Sequence, residues 1–473
     1  MSGTYTAPKK IGGRIFLVVL LMLVIEAILG YCFYADFTTL NNPYSDEALR
    51  SVAEKGVVGF SIGIVVVLIT GIVIMVKIKQ KHDREIYQMY KAAKERELAA
   101  KNATSTVTAS KNTPLSVSGS TLSMQRVVKD MQTATRTKKY GDFLSIQSLC
   151  EDFIAFAKDE GVDVDFEDVR SIFAAMAAAR AIWFQCTSPE YAETVVLTLK
   201  KYFGGLARSF VVDETMQDTK SVLYAQVGGK RTATPLLEDL YSAKFIDDAI
   251  FTSAVKHAEL CTFGKVFYPF IQGCRAPEGN TEMIVDYFGD YRGFSHIEGK
   301  KMTYPKNFWL FLIMGNEKGV LPKKAVEYSY IVRLKEKEPL AAESGEREKH
   351  YPISYSQFNE LIMTAVDEHF ISLDLWKKVD KVEEYLQAKL PFVLLNPVVR
   401  QMEYYTSVCI ACGMTQTEAI DDMLAGKIFP MLKGYTKEEV NQEGQSLAEC
   451  IDALFGMENL PLTHKLLTDL ELD

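Results

Sequence analysis

The chain has 473 residues, of which 48% are apolar and 24% charged, with a formal net charge of -8 at pH 7. The first 140 residues carry 19 Lys and Arg against 10 Asp and Glu, a net of +9, so the remaining residues carry a net of -17. A chain of 473 residues is long enough for one large domain or two domains of ordinary size. An acidic body of this kind argues against nucleic-acid binding, which draws most of its affinity from neutralising phosphates.

Two apolar runs of 20 residues each, 15–34 and 57–76, come near the start of the chain. Each is about the length that crosses roughly 30 Å of hydrocarbon as a helix. A cleaved signal peptide is the alternative for the first run, but its apolar stretch exceeds the usual length of about 7 to 15 residues and a second run follows soon after. Basic residues flank the outer ends of both runs, so the positive-inside rule predicts a two-span anchor in the cell (plasma) membrane with both termini cytosolic.

The first predicted span contains one ionisable residue, Glu26, and the second contains Gly59 and Gly63 in a G-x-x-x-G pattern. An ionisable residue in a span is costly and is a functional candidate. Two spans leave little room for a transport path, whereas G-x-x-x-G permits close approach of helices. We therefore expect Glu26, Gly59 and Gly63 to form a helix contact within the membrane.

The predicted order along the chain follows from changes in composition. Residues 77–101 contain good helix formers and eight Lys and Arg, whereas 102–124 are rich in Ser and Thr and predict a flexible linker. The predicted segments are a cytosolic N-terminus (1–14), two transmembrane helices (15–34 and 57–76) around an external loop (35–56), a juxtamembrane helix (77–101), the linker (102–124), an α/β domain (141–340) and a helical domain (353–473).

Eight cysteines in a reducing compartment do not predict a disulfide framework. Cys409 and Cys412 form a C-x-x-C pattern inside an apolar helical stretch with no second pair and no nearby His. We predict that they are buried helix residues rather than metal ligands.

The cytosolic part predicts an α/β fold, because short apolar strands alternate with helical stretches as in a mostly parallel sheet covered on both faces. A helical stretch is expected at 244–259, and from about 355 the pattern is helical throughout. The predicted strands are 181–186, 209–212, 221–227, 265–273, 307–315 and 328–334.

The order of these elements over about 145–460 resembles that of bacterial AAA+ ATPases of the restriction-type, McrB-like branch. The resemblance is carried by "AIWFQ", a loop, "LTLKKYFGG", then "YPKNFWLFLIMGNEKGVLPKKAVEYSYIVRL" and "LNPVVRQMEYYTSVCIACGMTQTEAIDDMLAGKIFPML". It implies a P-loop NTPase-like parallel sheet with helices on both faces, followed by an all-helical lid. It also implies assembly side by side into homo- or hetero-oligomers.

The motifs that this resemblance implies are largely absent. The phosphate loop of the family ends in Gly-Lys-Thr, whereas the matching stretch "CTSPEYAET" has Glu193 in the Lys position and keeps only Thr194. The strand that should end in Asp-Glu matches 265–273 and ends in Gln272 and Gly273. The arginine finger position is occupied by Tyr328, which cannot neutralise the charge of a transition state.

Two weaker matches remain, Asn316 in the sensor position and Arg400 in the lid, which with Thr194 would line a vestigial nucleotide pocket. Two further stretches look like motifs: Asp213-Glu214 follows an apolar run, and 227–232 resembles the tail of a phosphate loop. Both lie at the wrong place or spacing for the family, so we interpret them as solvated acids at a strand end and as a turn.

These observations favour a membrane-anchored AAA+-like pseudo-ATPase that acts as a scaffold or docking subunit for an active partner ATPase. No catalytic residue, metal or cofactor is expected, apart from possible vestigial ATP binding. One alternative is an ATPase with non-standard motifs, in which Asp213, Glu214 and Lys230 would act. Another is a membrane-tethered interaction protein with an unrelated α/β fold.

Overall fold

The computed structural model describes residues 139–227, 230–260, 266–273, 283–285, 301–315, 321, 323–338, 340, 350–394 and 396–472, with 25, 27–38, 52–53, 55–58, 60–61, 67 and 70–71 near the start. The chain divides into two compact units, Met1–Ser105 and Thr106–Asp473, each with its own internal contacts.

In the first unit, residues 27–38 are helical, as are the residues described between 52 and 71. The Ser61 hydroxyl donates a hydrogen bond to the Val57 carbonyl at 2.8 Å, one helical turn earlier. No helix formed by the described residues is long and apolar enough to cross a membrane. Much of 15–34 and of 57–76 lies outside the described residues, and so do Glu26, Gly59 and Gly63.

The second unit contains a sheet of five parallel strands in the order β2-β5-β8-β1-β9. Two antiparallel pairs, β3 with β4 and β6 with β7, lie outside this sheet. The strands are Ala181–Gln185 (β1), Ser209–Val211 (β2), Tyr224–Val227 (β3), Lys230–Ala233 (β4), Phe251–Lys256 (β5), Met283–Val285 (β6), Lys301–Thr303 (β7), Phe308–Ile313 (β8) and Tyr330–Arg333 (β9).

The helices of this unit precede, alternate with and follow the strands. They are Ile146–Asp159 (α1), Phe166–Ala178 (α2), Pro189–Tyr202 (α3), Thr219–Leu223 (α4), Pro235–Phe245 (α5), Tyr268–Gly273 (α6), Lys323–Glu327 (α7), Tyr355–Glu368 (α8), Leu373–Gln387 (α9), Asn396–Ala411 (α10), Gln416–Met423 (α11), Lys437–Val440 (α12), Leu447–Phe455 (α13) and Pro461–Asp469 (α14). A π-helical turn (Leu424–Ile428) and a 3-10 turn (Phe429–Leu432) follow α11 directly.

The central strands of the sheet are buried, which explains the continuous apolar runs in their sequences. All six residues of β8 are buried, as are the first four of β1. Their side chains pack across the strand pair, with the Phe184 and Phe311 rings edge to face at 5.3 Å between centroids. Parallel strands covered on both faces have this composition, so the predicted α/β class with a parallel sheet is confirmed.

The helical region packs directly on the sheet-bearing part. Helix α2 contains the run "AAMAAA" at 174–179, all of it buried, and these small side chains let α10 approach closely. Beneath this contact, the Trp309 indole N–H donates to the Met176 carbonyl at 2.9 Å and the Arg180 guanidinium lies 4.0 Å above the indole ring. The helices after residue 355 therefore share a core with the sheet.

The C-x-x-C cysteines lie in this shared core. Cys409 on α10 and Cys412, the first residue after that helix, are both buried, and the Cys412 sulfur lies 3.9 Å from that of Cys150 on α1. Burial raises the pKa of Cys409 and of Cys150, so both thiols stay protonated. The prediction that both residues are buried is confirmed, and Cys409 is helical as predicted.

Three predicted elements differ from the structure. The stretch 244–259 is not one helix, because α5 ends at Phe245 and residues 251–256 form the buried strand β5. The stretch 265–273 is not a strand, since Tyr268–Gly273 is a short helix whose second residue, Pro269, lacks the N–H that a strand donates. The predicted strand 221–227 begins as α4 and becomes β3 at Tyr224.

Candidate functional site

The loop of residues 186–188 joins the central strand β1 to helix α3, at the edge where the carboxyl ends of the parallel strands meet. This is the place where open α/β sheets bind ligands. The Ser188 hydroxyl accepts a hydrogen bond from the Tyr191 N–H at 3.2 Å and so caps α3, whose first residue is Pro189. Burial raises the pKa of the Cys186 thiol in this loop. The cap engages the Tyr191 amide, and Pro189 has no N–H to offer a phosphate.

Acidic and phenolic groups surround this loop. The Tyr191 hydroxyl donates to the Asp163 carbonyl at 2.7 Å. Asp168, on α2, is 3% exposed and accepts the Lys335 N–H at 3.0 Å. Burial raises the pKa of Asp168 to about 6, and burial beside Asp168 also raises the pKa of Tyr191. This environment disfavours an anionic ligand.

The Glu193 side chain is bound by two partners from neighbouring strands. Its carboxylate accepts the Ser209 hydroxyl at 2.6 Å and forms an ion pair with Lys256 at 2.6 Å. The Glu193 and Lys256 side chains are 21% and 15% exposed, so the pair is largely out of water. Burial by itself would raise the pKa of Glu193, but the hydrogen bonds from Lys256 and Ser209 outweigh it and lower that pKa. Glu193 is therefore a charged, internally paired group.

The strand beside β8 is β5, and not 265–273. It ends in Lys256 and is followed by His257, whereas the motif that the resemblance implies has Asp-Glu at the end of such a strand. Lys256 and Glu193 lie side by side at the carboxyl edge of the sheet and bind each other.

A second group of residues lies just beyond the ends of β5 and β8. Glu259 accepts the Gly315 N–H through Oε1 at 2.7 Å, and its other oxygen, Oε2, has no hydrogen-bond partner among the described residues. His257 has a φ of 59°, a left-handed conformation that is uncommon for any residue but glycine. A Cβ at position 315 would come within 2.1 Å of His257 Nδ1 and 2.9 Å of Glu259 Oε1, so a larger residue there would have to displace these side chains.

The segment 326–329, which precedes β9, is bound by the helical region. The Tyr328 carbonyl accepts from the Gln401 amide at 3.1 Å. The fully buried Lys427 ammonium donates to the carbonyls of Val326 (2.9 Å), Glu327 (2.8 Å) and Ser329 (2.5 Å). Burial lowers the pKa of Lys427 to about 7, opposed by the charge of Glu327. The backbone of 326–329 is thus bound by contacts within the chain, and the Tyr328 side chain is largely buried.

The remaining predicted site residues are not assembled around a ligand-binding group. The Thr194 hydroxyl donates to the Glu190 carbonyl of its own helix at 2.8 Å. Arg400 is half-buried on α10 in the helical region, and Asn316 lies outside the described residues. Within the part of the chain that the structure describes, no group of three His, Cys, Asp or Glu side chains could hold a metal ion.

The two motif-like stretches have the local structure that we predicted. Asp213 and Glu214 are exposed, and Asp213 accepts the Thr215 N–H in a turn after β2. Residues 227 and 230 are paired as neighbouring strands β3 and β4, and 228–229 between them lie outside the described residues. Sequence reasoning missed Lys256, His257 and Glu259, because "SAVKHAEL" contains mostly helix-forming residues.

In comparisons with known proteins, no family model matches this chain and no curated protein sequence matches it.

Proposed function

We propose that the chain is a membrane-anchored, AAA+-like pseudo-ATPase that serves as a scaffold or docking subunit for an active partner ATPase. The observation that carries this proposal is the ion pair between Glu193 and Lys256 at 2.6 Å. It occupies the two positions that would hold the phosphates and the metal ion in an active member, with the charges exchanged.

The strand order supports the AAA+ part of the proposal. The strand before the loop, β1, lies in the interior of the sheet, and β8 separates it from β5. This is the order that the resemblance implies, in which the strand with the sensor residue lies between the phosphate-loop strand and the acidic-motif strand. An unrelated α/β fold would not need this order.

The charges support the loss of nucleotide chemistry. A nucleotide phosphate near Glu193 would either meet a carboxylate or have to draw Lys256 away from it. Like charges about 4 Å apart cost about 4 kcal/mol at an effective dielectric constant of 20. Attraction to Lys256 offsets part of that cost, but using it breaks a pair that is mostly out of water. Either route lowers the affinity for a polyphosphate.

An inactive subunit would act through the surfaces that it offers to its partner for docking. The contacts of Lys427 and Gln401 fix the segment around Tyr328, so the chain presents no arginine there to a neighbour. A docking function needs a fixed shape rather than a reactive group, and the helical region packed on the sheet supplies one. The two apolar runs at 15–34 and 57–76 would attach this body to the cell membrane with both termini in the cytosol.

The test is calorimetric titration of ATP with Mg²⁺ into the purified full chain in lipid nanodiscs. We expect no binding heat up to millimolar nucleotide and no ATP turnover. Empty nanodiscs and a known AAA+ ATPase are the negative and positive controls. Micromolar binding by the wild-type chain would refute the pseudo-ATPase proposal.

A further inference from the structure

Glu259 is the one carboxylate, among the described residues, that has a buried oxygen without a hydrogen-bond partner. The residue is 9% exposed, and its Oε1 is oriented by the Gly315 N–H at 2.7 Å. Its Oε2 is buried and has no hydrogen-bond partner among the described residues. Buried polar atoms are nearly always bonded, and a buried charge needs a partner, so this oxygen indicates a missing one.

The sign of the missing partner follows from the charges beside it. Glu193 and Lys256 neutralise each other, whereas Glu259 forms no ion pair with another described residue, the nearby His257 included. Glu190 adds a further, 74% exposed, carboxylate 3.8 Å from the Lys256 ammonium. The site therefore has an excess of negative charge and favours a cationic group. A group that reaches Oε2 also leaves water, which strengthens its interaction with the carboxylate.

The type of cation follows from the number of ligands. A metal site built from protein groups alone needs three or more ligands, and no group of three ligating side chains occurs in the described part of the chain. One oriented oxygen that can accept a hydrogen bond instead matches a single N–H donor of a guanidinium or ammonium group. The Gly315 N–H binds Oε1 at 2.7 Å and the adjacent His257 keeps an uncommon backbone conformation, so the carboxylate is oriented before any partner arrives.

We propose that Glu259 is the receptor for a cationic side chain, an arginine or lysine, supplied by a protein partner at the carboxyl edge of the sheet. This inference rests on the proposed function, because the cation comes from the subunit that docks there. It names the acceptor residue and the chemistry that the partner must present. Glu259 is a binding residue in this role and takes part in no reaction.

The test titrates N-acetyl-arginine N-methylamide into the full chain in nanodiscs, in a calorimeter at fixed ionic strength. The lysine analogue is the second cationic probe, and the citrulline analogue, which has the shape of arginine without its charge, is the control. We expect at least one cationic probe to bind about tenfold or more tightly than citrulline. That preference should disappear in Glu259→Gln and persist in Glu190→Gln, which removes the exposed carboxylate nearby.

If Glu259→Gln does not fold, Glu259→Asp provides a second test at unchanged charge, since it withdraws the carboxylate by one methylene group and should weaken the preference for the cationic probes. Equal binding of all three probes, or a preference that Glu259→Gln retains, would refute the inference. Binding of Mg²⁺ that depends on Glu259, without recognition of either cationic probe, would also refute it. Nucleotide binding by the same sample would instead refute the proposed function, whatever the probes do.

Discussion

Breaking the ion pair between Glu193 and Lys256 should destabilise the fold measurably. At an effective dielectric constant of 20, opposite charges about 4 Å apart attract by about 4 kcal/mol. Removing one partner of a buried pair costs about 3 to 5 kcal/mol, and the remaining exposure of 21% and 15% moves the expectation below that range. We expect Glu193→Gln and Lys256→Met each to lower the free energy of unfolding by about 2 to 3 kcal/mol.

The charge-exchanged double variant, Glu193→Lys with Lys256→Glu, should recover more than half of that loss, because the attraction survives a change of sign. Urea unfolding of the full chain in micelles, followed by tryptophan fluorescence, measures all variants, since Trp183 and Trp309 are buried in the sheet.

Glu190→Gln is the matched control, because that carboxylate is 74% exposed and should contribute less than about 0.5 kcal/mol. Strictly additive effects of the two single variants, with no recovery in the exchanged one, would show that the two groups do not stabilise each other. The site would then be open to a nucleotide on electrostatic grounds.

Lys427→Met leaves three carbonyls of the segment before β9 without their donor, and should cost about 3 to 5 kcal/mol in urea unfolding; a cost below about 1 kcal/mol would contradict the contacts described. Lys200→Met removes the buried ion pair with Asp239 and should cost about 2 to 3 kcal/mol, with loss of cooperativity between α3 and α5 visible in amide exchange. The pKa of Asp168 is about 6 in the folded chain, against an ordinary value of 3.8 for an exposed aspartate. The folded chain therefore binds more protons than the unfolded chain between about pH 4 and 6, and its stability falls as the pH rises through that window. Asp168→Asn should remove this dependence and raise the free energy of unfolding at about pH 7.5 by about 1 to 3 kcal/mol, and an unchanged pH profile of thermal unfolding would refute it.

Much of the architecture is readable from the sequence. The run "FWLFLI" can only be a strand buried on both faces, and the helical periods after 355 are long and capped. The strand 251–256 could not be read in this way, because Ala, Lys, His and Glu around it have good helix propensity and burial between β2 and β8 overrides it. Conversely, Tyr268–Gly273 has strand-like composition, but its proline favours the first turn of a helix.

The candidate site was predictable only in part. The mismatch at Glu193 is visible in the sequence because the local pattern of strand, loop and helix sets its position. Its partner Lys256 lies 63 residues away, in an element whose type was predicted wrongly. The unpartnered oxygen of Glu259 depends on where one backbone N–H, that of Gly315, points. Neither the periodicity of apolar residues nor the spacing of motifs in the sequence predicts such a contact.

The ion pair between residues 193 and 256 also constrains how this chain can change over generations. Lysine at 193 alone would place two ammonium groups together, and aspartate at 256 alone would place two carboxylates together. Each single change is therefore less stable than the present sequence, whereas both changes together are tolerated. Selection for folding alone thus keeps opposite charges at these two positions, whatever the site binds.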